Sequence, residues 1–366
     1  MNQHHTASRP VLEAKNISVV YGKHKVLEIP SIEIFPDRVT AIIGPNGSGK
    51  TTLLLCLALL LKPATGKVSY QGSPVPGGYS ILQMRRRFAV VFQEPLLLNT
   101  TVWDNVILGM RLRDTNHQEI KKMAQYWLER FGIASLAPRS ARTLSGGEAQ
   151  RTSLARAFVL QPEVLFLDEP FAALDVPTRQ SLLGDMVNIL KETKCTTIMV
   201  THDRSEAQSL AHRVVVLMKG KIVQEGPPRE VFSAPSSEEI AKFVGMENIL
   251  EGMVITNKDC IADVDVQGKM IQGVSSCQAG GKVNVCIRPE DITLSLERAP
   301  SSARNNFPGR ITSLIPAGSL VRISLDCGFS LLALITRMSA DEMNLEAGKT
   351  VYASFKTTAI HIIAIT

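Results

Sequence analysis

Gly44-Pro45-Asn46-Gly47-Ser48-Gly49-Lys50-Thr51 follows the apolar run Val39 to Ile43 and, with Thr52 behind it, opens the leucine-rich stretch that ends at Leu61. A glycine-rich loop between a strand and a helix turns successive backbone N–H groups inward at the positive end of the helix, where a phosphate sits well. In this spacing Lys50 bridges the β- and γ-phosphates of a nucleotide and Thr51 offers its hydroxyl to Mg²⁺. The plain alternative is a glycine-rich turn with no ligand. The strand before the loop and the helix after it favour the phosphate reading. Leu53 to Leu61 is the longest apolar run and reads as a buried helix.

Further along, Val164-Leu165-Phe166-Leu167 is an apolar strand that ends in Asp168 and Glu169. Burying that run places both carboxylates at the carboxyl edge of a sheet, beside the phosphates. Asp168 is the candidate to hold Mg²⁺ through its water shell, and Glu169 the candidate to polarise the attacking water. Taken alone, Asp-Glu is also an ordinary strand terminus.

Leu144-Ser145-Gly146-Gly147-Glu148, followed by Gln150-Arg151, resembles the signature motif of the ABC-transporter ATPase family. Outside that context it is a helix start with Ser145 as N-cap, and both readings are compatible, since a helix N-terminus with small residues can approach a γ-phosphate closely. The resemblance implies ATP as ligand, contacted across a homodimer by Ser145, Gly146, Gly147 and Glu148. It also implies Tyr21 as the ring that stacks on adenine, Gln93 as a sensor of γ-phosphate and Mg²⁺, and Asp175 at the dimer contact. His202 follows the strand Thr197 to Val200, where its imidazole reaches the γ-phosphate and orients Glu169. The similarity covers about Val11 to Val244, and within it Gln93 to Trp103 looks like the region that grips a membrane subunit. Those apolar residues also suit plain core.

Short β-branched strands alternate with helical stretches from Val11 onward, the pattern of a sheet covered by helices. Between Glu94 and Ser140 the strand signal disappears, and Ile120, Met123, Trp127, Leu128 and Phe131 recur at helical spacing. After Gly226-Pro227-Pro228 a helical segment, Glu230 to Val244, leads into brief strands with Gly and Asn turns. The expected fold class from this pattern is α/β with a small all-β domain behind it. The resemblances, the one above and the one given below for the C-terminal stretch, imply a P-loop NTPase of the ABC ATPase type over 11–245, with a helical subdomain at about 94–145, followed by an OB-like (TOBE/MOP) domain over 246–366. An imperfect duplication is expected in the second domain. Asn248-x-x-x-Gly252 is echoed by Asn305-x-x-x-Gly309, Val266-x-Gly268 by Asp326-x-Gly328, and Val283 to Ile292 by Val351 to Ile360.

A chain of 366 residues has length for two or three cores. Its mean hydropathy of +0.08 and the absence of a long apolar run give no membrane span, and Met1 to Pro10 lacks the charged and apolar pattern of an export signal. The six cysteines contain no C-x-x-C pair and read as structural thiols rather than metal ligands. A net charge of +6 with only 5% aromatic residues and no nucleic-acid motif makes Arg85 to Arg87 a solvated face before a nucleic-acid patch.

Through Gly309-Arg310-Ile311, Leu325-Asp326-Cys327-Gly328, Leu334-Ile335-Thr336-Arg337-Met338-Ser339, Leu345-Glu346-Ala347-Gly348-Lys349 and Phe355-Lys356-Thr357-Thr358, the stretch from Gly309 to Ile360 resembles the β-barrel module of molybdate and tungstate proteins. The resemblance implies oxyanion binding, with Thr336, Ser339 and Lys356 as candidates; a barrel that only dimerises or regulates is the alternative. Together these readings point to the ATP-hydrolysing subunit of an importer, peripheral at the cytoplasmic face of the membrane. It would work with a second copy of itself, two transmembrane permease subunits and, indirectly, an extracytoplasmic binding protein. The cargo is tungstate or molybdate, with sulfate, ferric iron, polyamine or sugar as alternatives. A soluble ABC ATPase outside transport is the reading from another class.

Overall fold

The β-branched and apolar runs form strands wherever they can be covered, and the chain they build divides after Val231 into two units. The computed structural model describes residues 9–298 and 301–365. Most of Met1 to Pro10 thus lies outside the described residues.

In the first unit β1 (Leu12–Tyr21) and β2 (His24–Ile34) form an antiparallel hairpin. The buried strand β3 (Val39–Ile43) then delivers the glycine loop to α1 (Lys50–Leu57). Two strands, β4 (Thr65–Tyr70) and β5 (Ser73–Val75), complete a four-stranded antiparallel sheet on β1. The chain continues through α2 (Ile81–Arg87) and β6 (Phe88–Val91) into three helices: α3 (Val102–Arg111), α4 (His117–Arg130) and α5 (Gly146–Phe158). Trp127, Phe131 and Phe158 pack there with ring centroids 4.9 to 6.0 Å apart. The rest of the unit is β7 (Val164–Asp168), α6 (Val176–Thr193), β8 (Thr196–Thr201), α7 (Arg204–Leu210), β9 (Arg213–Met218) and β10 (Lys221–Gly226).

The central sheet runs β10-β9-β3-β8-β7-β6 and is parallel except for the β9–β10 hairpin. Every residue of β3, β7 and β8 is buried, as expected of parallel strands covered on both faces. Because they are parallel, these three strands end at one edge. The glycine loop, Glu169 and His202 all emerge there.

Two helical expectations change. The helix after the loop stops at Leu57 instead of Leu61, with Leu59 left-handed (φ 58°) and Leu60 N–H and Leu61 N–H both donating to Leu55 O. The Lys62-Pro63 pair disfavours further helix. The segment Glu230 to Val244 is two short helices, α8 (Pro228–Ser233) and α9 (Glu238–Phe243), separated at Pro235 and restarted by the Ser237 cap.

The second unit begins at Phe232, earlier than the 246 expected from the change in composition. The reason is that residues 232–238 bond to its strands: Phe232 O accepts from Arg288, Pro235 O pairs with His361 Nε2 at 2.9 Å, and Glu238 accepts from Asn284. Its first half comprises β11 (Asn248–Lys258), β12 (Ile261–Val266), β13 (Lys269–Val274), β14 (Lys282–Ile287) and β15 (Thr293–Ser295). Its second half repeats that order as β16 (Asn305–Ala317), β17 (Leu320–Asp326), β18 (Ser330–Thr336), β19 (Thr350–Phe355) and β20 (Ile360–Ala364), with α10 (Arg337–Glu342) after β18. The last strand of each half is exchanged. β20 closes the first barrel, β11-β12-β13-β20-β14, and β15 joins the other sheet, β15-β19-β16-β17-β18.

Candidate active site

The loop after β3 is shaped by close approach. A Cβ on Gly44 would lie 2.0 Å from Leu217 O, and Gly49, which caps α1 at φ +99°, would place one 2.7 Å from Leu27 Cδ2. Lys50 is buried and donates from Nζ to Gly44 O at 3.0 Å and Pro45 O at 3.1 Å. Burial lowers its pKa, while the charges of Glu169 and Asp168 oppose that shift. Ser48 Oγ is buried and has no hydrogen-bond partner among the described residues, the kind of orphan that a phosphate oxygen satisfies. A cleft of about 360 Å³ is lined by Val26, Asn46, Gly47, Gly49, Lys50, Thr51, Thr52 and Glu169.

At the end of β7, Asp168 is buried and accepts from Thr51 Oγ1 at 3.0 Å. Burial raises its pKa above the ordinary aspartate value, the Thr51 hydrogen bond pulls it back, and Glu169 pushes it up again. The register Asp168↔Val200 sets the next residues of β7 and β8 side by side. Glu169 takes a left-handed φ of 46° and its N–H donates to Val200 O at 2.9 Å. Its Oε2 then lies 2.9 Å from His202 Nδ1. With Glu169 ionised, the imidazole donates, so His202 is well placed to fix the carboxylate. Gln93 leaves β6 two residues beyond the pair Val91↔Leu167, level with Glu169, and is exposed. Among the described residues no hydrogen bond joins it to Thr51 or Asp168. Tyr21 is exposed at the tip of the β1–β2 hairpin and does not itself line the cleft.

Ser145 and Glu148 form a capping box at the start of α5: Ser145 N–H donates to Glu148 Oε2 at 2.7 Å and Glu148 N–H to Ser145 Oγ at 3.3 Å. The Ser145 N–H holds the Glu148 carboxyl below its usual range. Gly147 packs closely on α6, where a Cβ would meet Thr178 Cγ2 at 2.6 Å unless that side chain shifted. This helix end opens onto a second cleft of about 810 Å³, shared by Ser145, Gly146, Gly147 and Glu148 with Ala173, Leu174, Asp175 and Thr178. Among the described residues none lines both clefts. One chain therefore holds two separate groups of the expected site residues.

In the second unit the three oxyanion candidates do not come together. Thr336 and Ser339 do, with their hydroxyls 2.8 Å apart at the cap of α10. Thr336 pairs with Leu320, which faces Ala317 at the far end of β16, whereas Lys356 follows Phe355, paired with Asn305 at its beginning. The length of β16 separates them, so one chain offers no three-residue oxyanion site there. Sequence reading also missed Arg179 and Asp203, which link Leu174 of the second cleft to the neighbour of His202. The available signals were the helix-capping position of Asp203 after His202 and the four-residue spacing of Arg179 from Asp175.

The family model described as ABC transporter matches residues 27–172, and the model described as TOBE domain matches residues 301–362. The molybdate/tungstate import ATP-binding protein WtpC of Pyrococcus horikoshii is 40% identical over 96% of this chain and 99% of its own length. The spermidine/putrescine import ATP-binding protein PotA of Legionella pneumophila is 32% identical over 87% of both chains. Among solved structures, a dimeric ATP-binding cassette in a post-hydrolysis state bound to ADP and Pi superposes with a TM-score of 0.55 at 27% identity, covering 60% of this chain and 99% of its own.

Proposed function

Since the chain belongs to the family of ABC transporter ATP-binding subunits and is an ATPase, we propose that it energises import of molybdate or tungstate as one of two identical copies. In this reading the pair docks on two permease subunits at the cytoplasmic face of a membrane, and an extracytoplasmic binding protein delivers the oxyanion. The observation that carries the pairing is the division of the site into two clefts without a common residue. ATP held by Lys50 and Thr51 of one copy is completed by Ser145, Gly146 and Gly147 of the other, where the α5 N-terminus favours negative charge.

Within that sandwich Lys50 neutralises the β- and γ-phosphates, and Tyr21 stacks on adenine. Glu169 polarises the attacking water, His202 holds Glu169 and reaches the γ-phosphate, and Gln93 senses it. Asp175 lies at the contact between copies. The donor set fits Mg²⁺. Thr51 and Asp168 supply two hard oxygens that already touch, and Mg²⁺ is usually held by one or two such groups plus phosphates. Bound Mg²⁺ would neutralise charge on the phosphate oxygens. Closure of the pair on ATP and reopening after hydrolysis then shift the permease between its conformations.

The cargo reading is supported by the relative named for molybdate and tungstate, whose similarity runs through both units, while the polyamine relative is less similar over a shorter span. Glu169→Gln should lower kcat by about 10² to 10³-fold while ATP still locks two copies together, read by phosphate release and by size-exclusion mass. Normal turnover in that variant would remove Glu169 from the role. In vesicles holding the assembled transporter, tungstate or molybdate should stimulate ATP hydrolysis, and stimulation by sulfate alone would overturn the cargo.

A further inference from the structure

Two clefts of one subunit, one reading its own nucleotide and one reading the partner's, need a connection, and a single side chain bonds both to a residue lining the Ser145 cleft and to the neighbour of His202, whose imidazole meets Glu169 in the other cleft. Arg179 lies in the first turn of α6. Its Nη2 donates to Leu174 O at 3.2 Å, in the 173–175 segment that lines the Ser145 cleft. Its Nη1 lies 3.5 Å from Asp203 Oδ2, on the residue that follows His202. Its Nε is buried and has no partner among the described residues.

Asp203 is itself tightly held. Its Oδ1 accepts from Ser205 N–H at 2.7 Å and Glu206 N–H at 3.3 Å, which caps α7, and its own N–H donates to Thr201 Oγ1 at 3.0 Å. Thr201 in turn donates to the buried Glu206 carboxylate at 2.5 Å. Both neighbours of His202 are thus bonded into this network, and His202 Nδ1 meets Glu169 Oε2.

We propose that Arg179 is a positioning residue that couples the two half-sites of one subunit: it carries the placement of the 173–175 segment, set by the partner's nucleotide, to the His202–Glu169 pair. A guanidinium suits this task because its planar fork bonds in two directions from one rigid group. The unpaired buried Nε–H adds a bias, since an orphan donor is costly and any shift of the neighbouring carbonyls that supplies an acceptor is favoured. The proposal rests on the assignment of His202 and Glu169 to hydrolysis.

The test is steady-state ATP hydrolysis by the full chain. Arg179→Gln and Arg179→Lys should each lower kcat by about tenfold or more and leave KM for ATP within about twofold, because the hydrogen bonds of Arg179 go to Leu174 and Asp203 and not to the Gly44–Thr52 loop. Asp203→Asn should act alike, and the double variant Arg179→Gln/Asp203→Asn should be no slower than the slower single one, as expected of two residues in one link. Unchanged kcat, a loss confined to KM, or effects that multiply would overturn the coupling. If Arg179→Gln does not fold, Arg179→Lys and Asp203→Asn carry the same measurement. Failure of the underlying assignment looks different, since Glu169→Gln would then retain turnover.

Discussion

Asp168 is buried beside a hydroxyl, a lysine and a second carboxylate, and its raised pKa follows first from that burial. A carboxyl whose pKa is higher in the folded than in the unfolded chain stabilises the fold while protonated. That contribution is whole below the ordinary aspartate value and is lost as pH rises through the raised one. A cation beside the ionised carboxylate reverses the balance, because metal binding needs the proton gone. Mg²⁺ with ATP should therefore raise Tm by more at about pH 8 than at about pH 5, and Asp168→Asn should shrink the difference. Equal shifts at both pH values in the unaltered protein would argue against Asp168 as the metal-holding group. Glu169 adds a second residue-scale feature, since its left-handed backbone, stabilised by the bond to Val200 O, costs on the order of 1 kcal/mol.

At the scale of elements, the two halves of the second unit are tied by a matched pair of asparagines at the starts of β11 and β16. Asn248 Nδ2 donates to Ile287 O and Leu332 O, and its Oδ1 accepts from Leu332 N–H at 2.6 Å. Asn305 does the reciprocal work on β13: Nδ2 donates to Gln272 O and Oδ1 accepts from Gln272 N–H, at 2.9 and 2.8 Å. Each side chain is buried and extends the edge pairing of a strand in the opposite half. Removing either leaves buried backbone groups unsatisfied, so Asn248→Ala and Asn305→Ala should each destabilise the second unit by about 2 kcal/mol in urea unfolding. A loss in only one of the two would break the reciprocity.

For the molecule as a whole, strand exchange makes the two halves of the second unit interdependent, since β20 closes the barrel of the first half and β15 borders the sheet of the second. Native-state hydrogen exchange on the full chain should give β12 and β17 the same opening free energy, the behaviour of one cooperative unit. Two distinct values would mean that each half opens alone. In the first unit Lys50 and Ser145 line different clefts, and under the proposed function a second copy of the chain completes each site.

The convergence of Lys50, Thr51, Asp168 and Glu169 at one sheet edge was legible in the sequence because it follows from local pattern. Gly44 to Thr51 needs glycines where the backbone has no room, and a buried strand ending in Asp168 and Glu169 can place them only at the sheet edge. The β-rich character of the C-terminal portion was legible for the same reason, as alternation and turn residues act over a few positions. What only the tertiary structure decided depends on contacts between distant segments. Strand exchange between the two halves, the separation of Lys356 from Thr336 and Ser339, and the bridge from Leu174 through Arg179 to Asp203 are set by strand register and by close approach of residues far apart in sequence. No local propensity encodes such neighbours, since a strand or helix carries the same pattern whichever partner covers it.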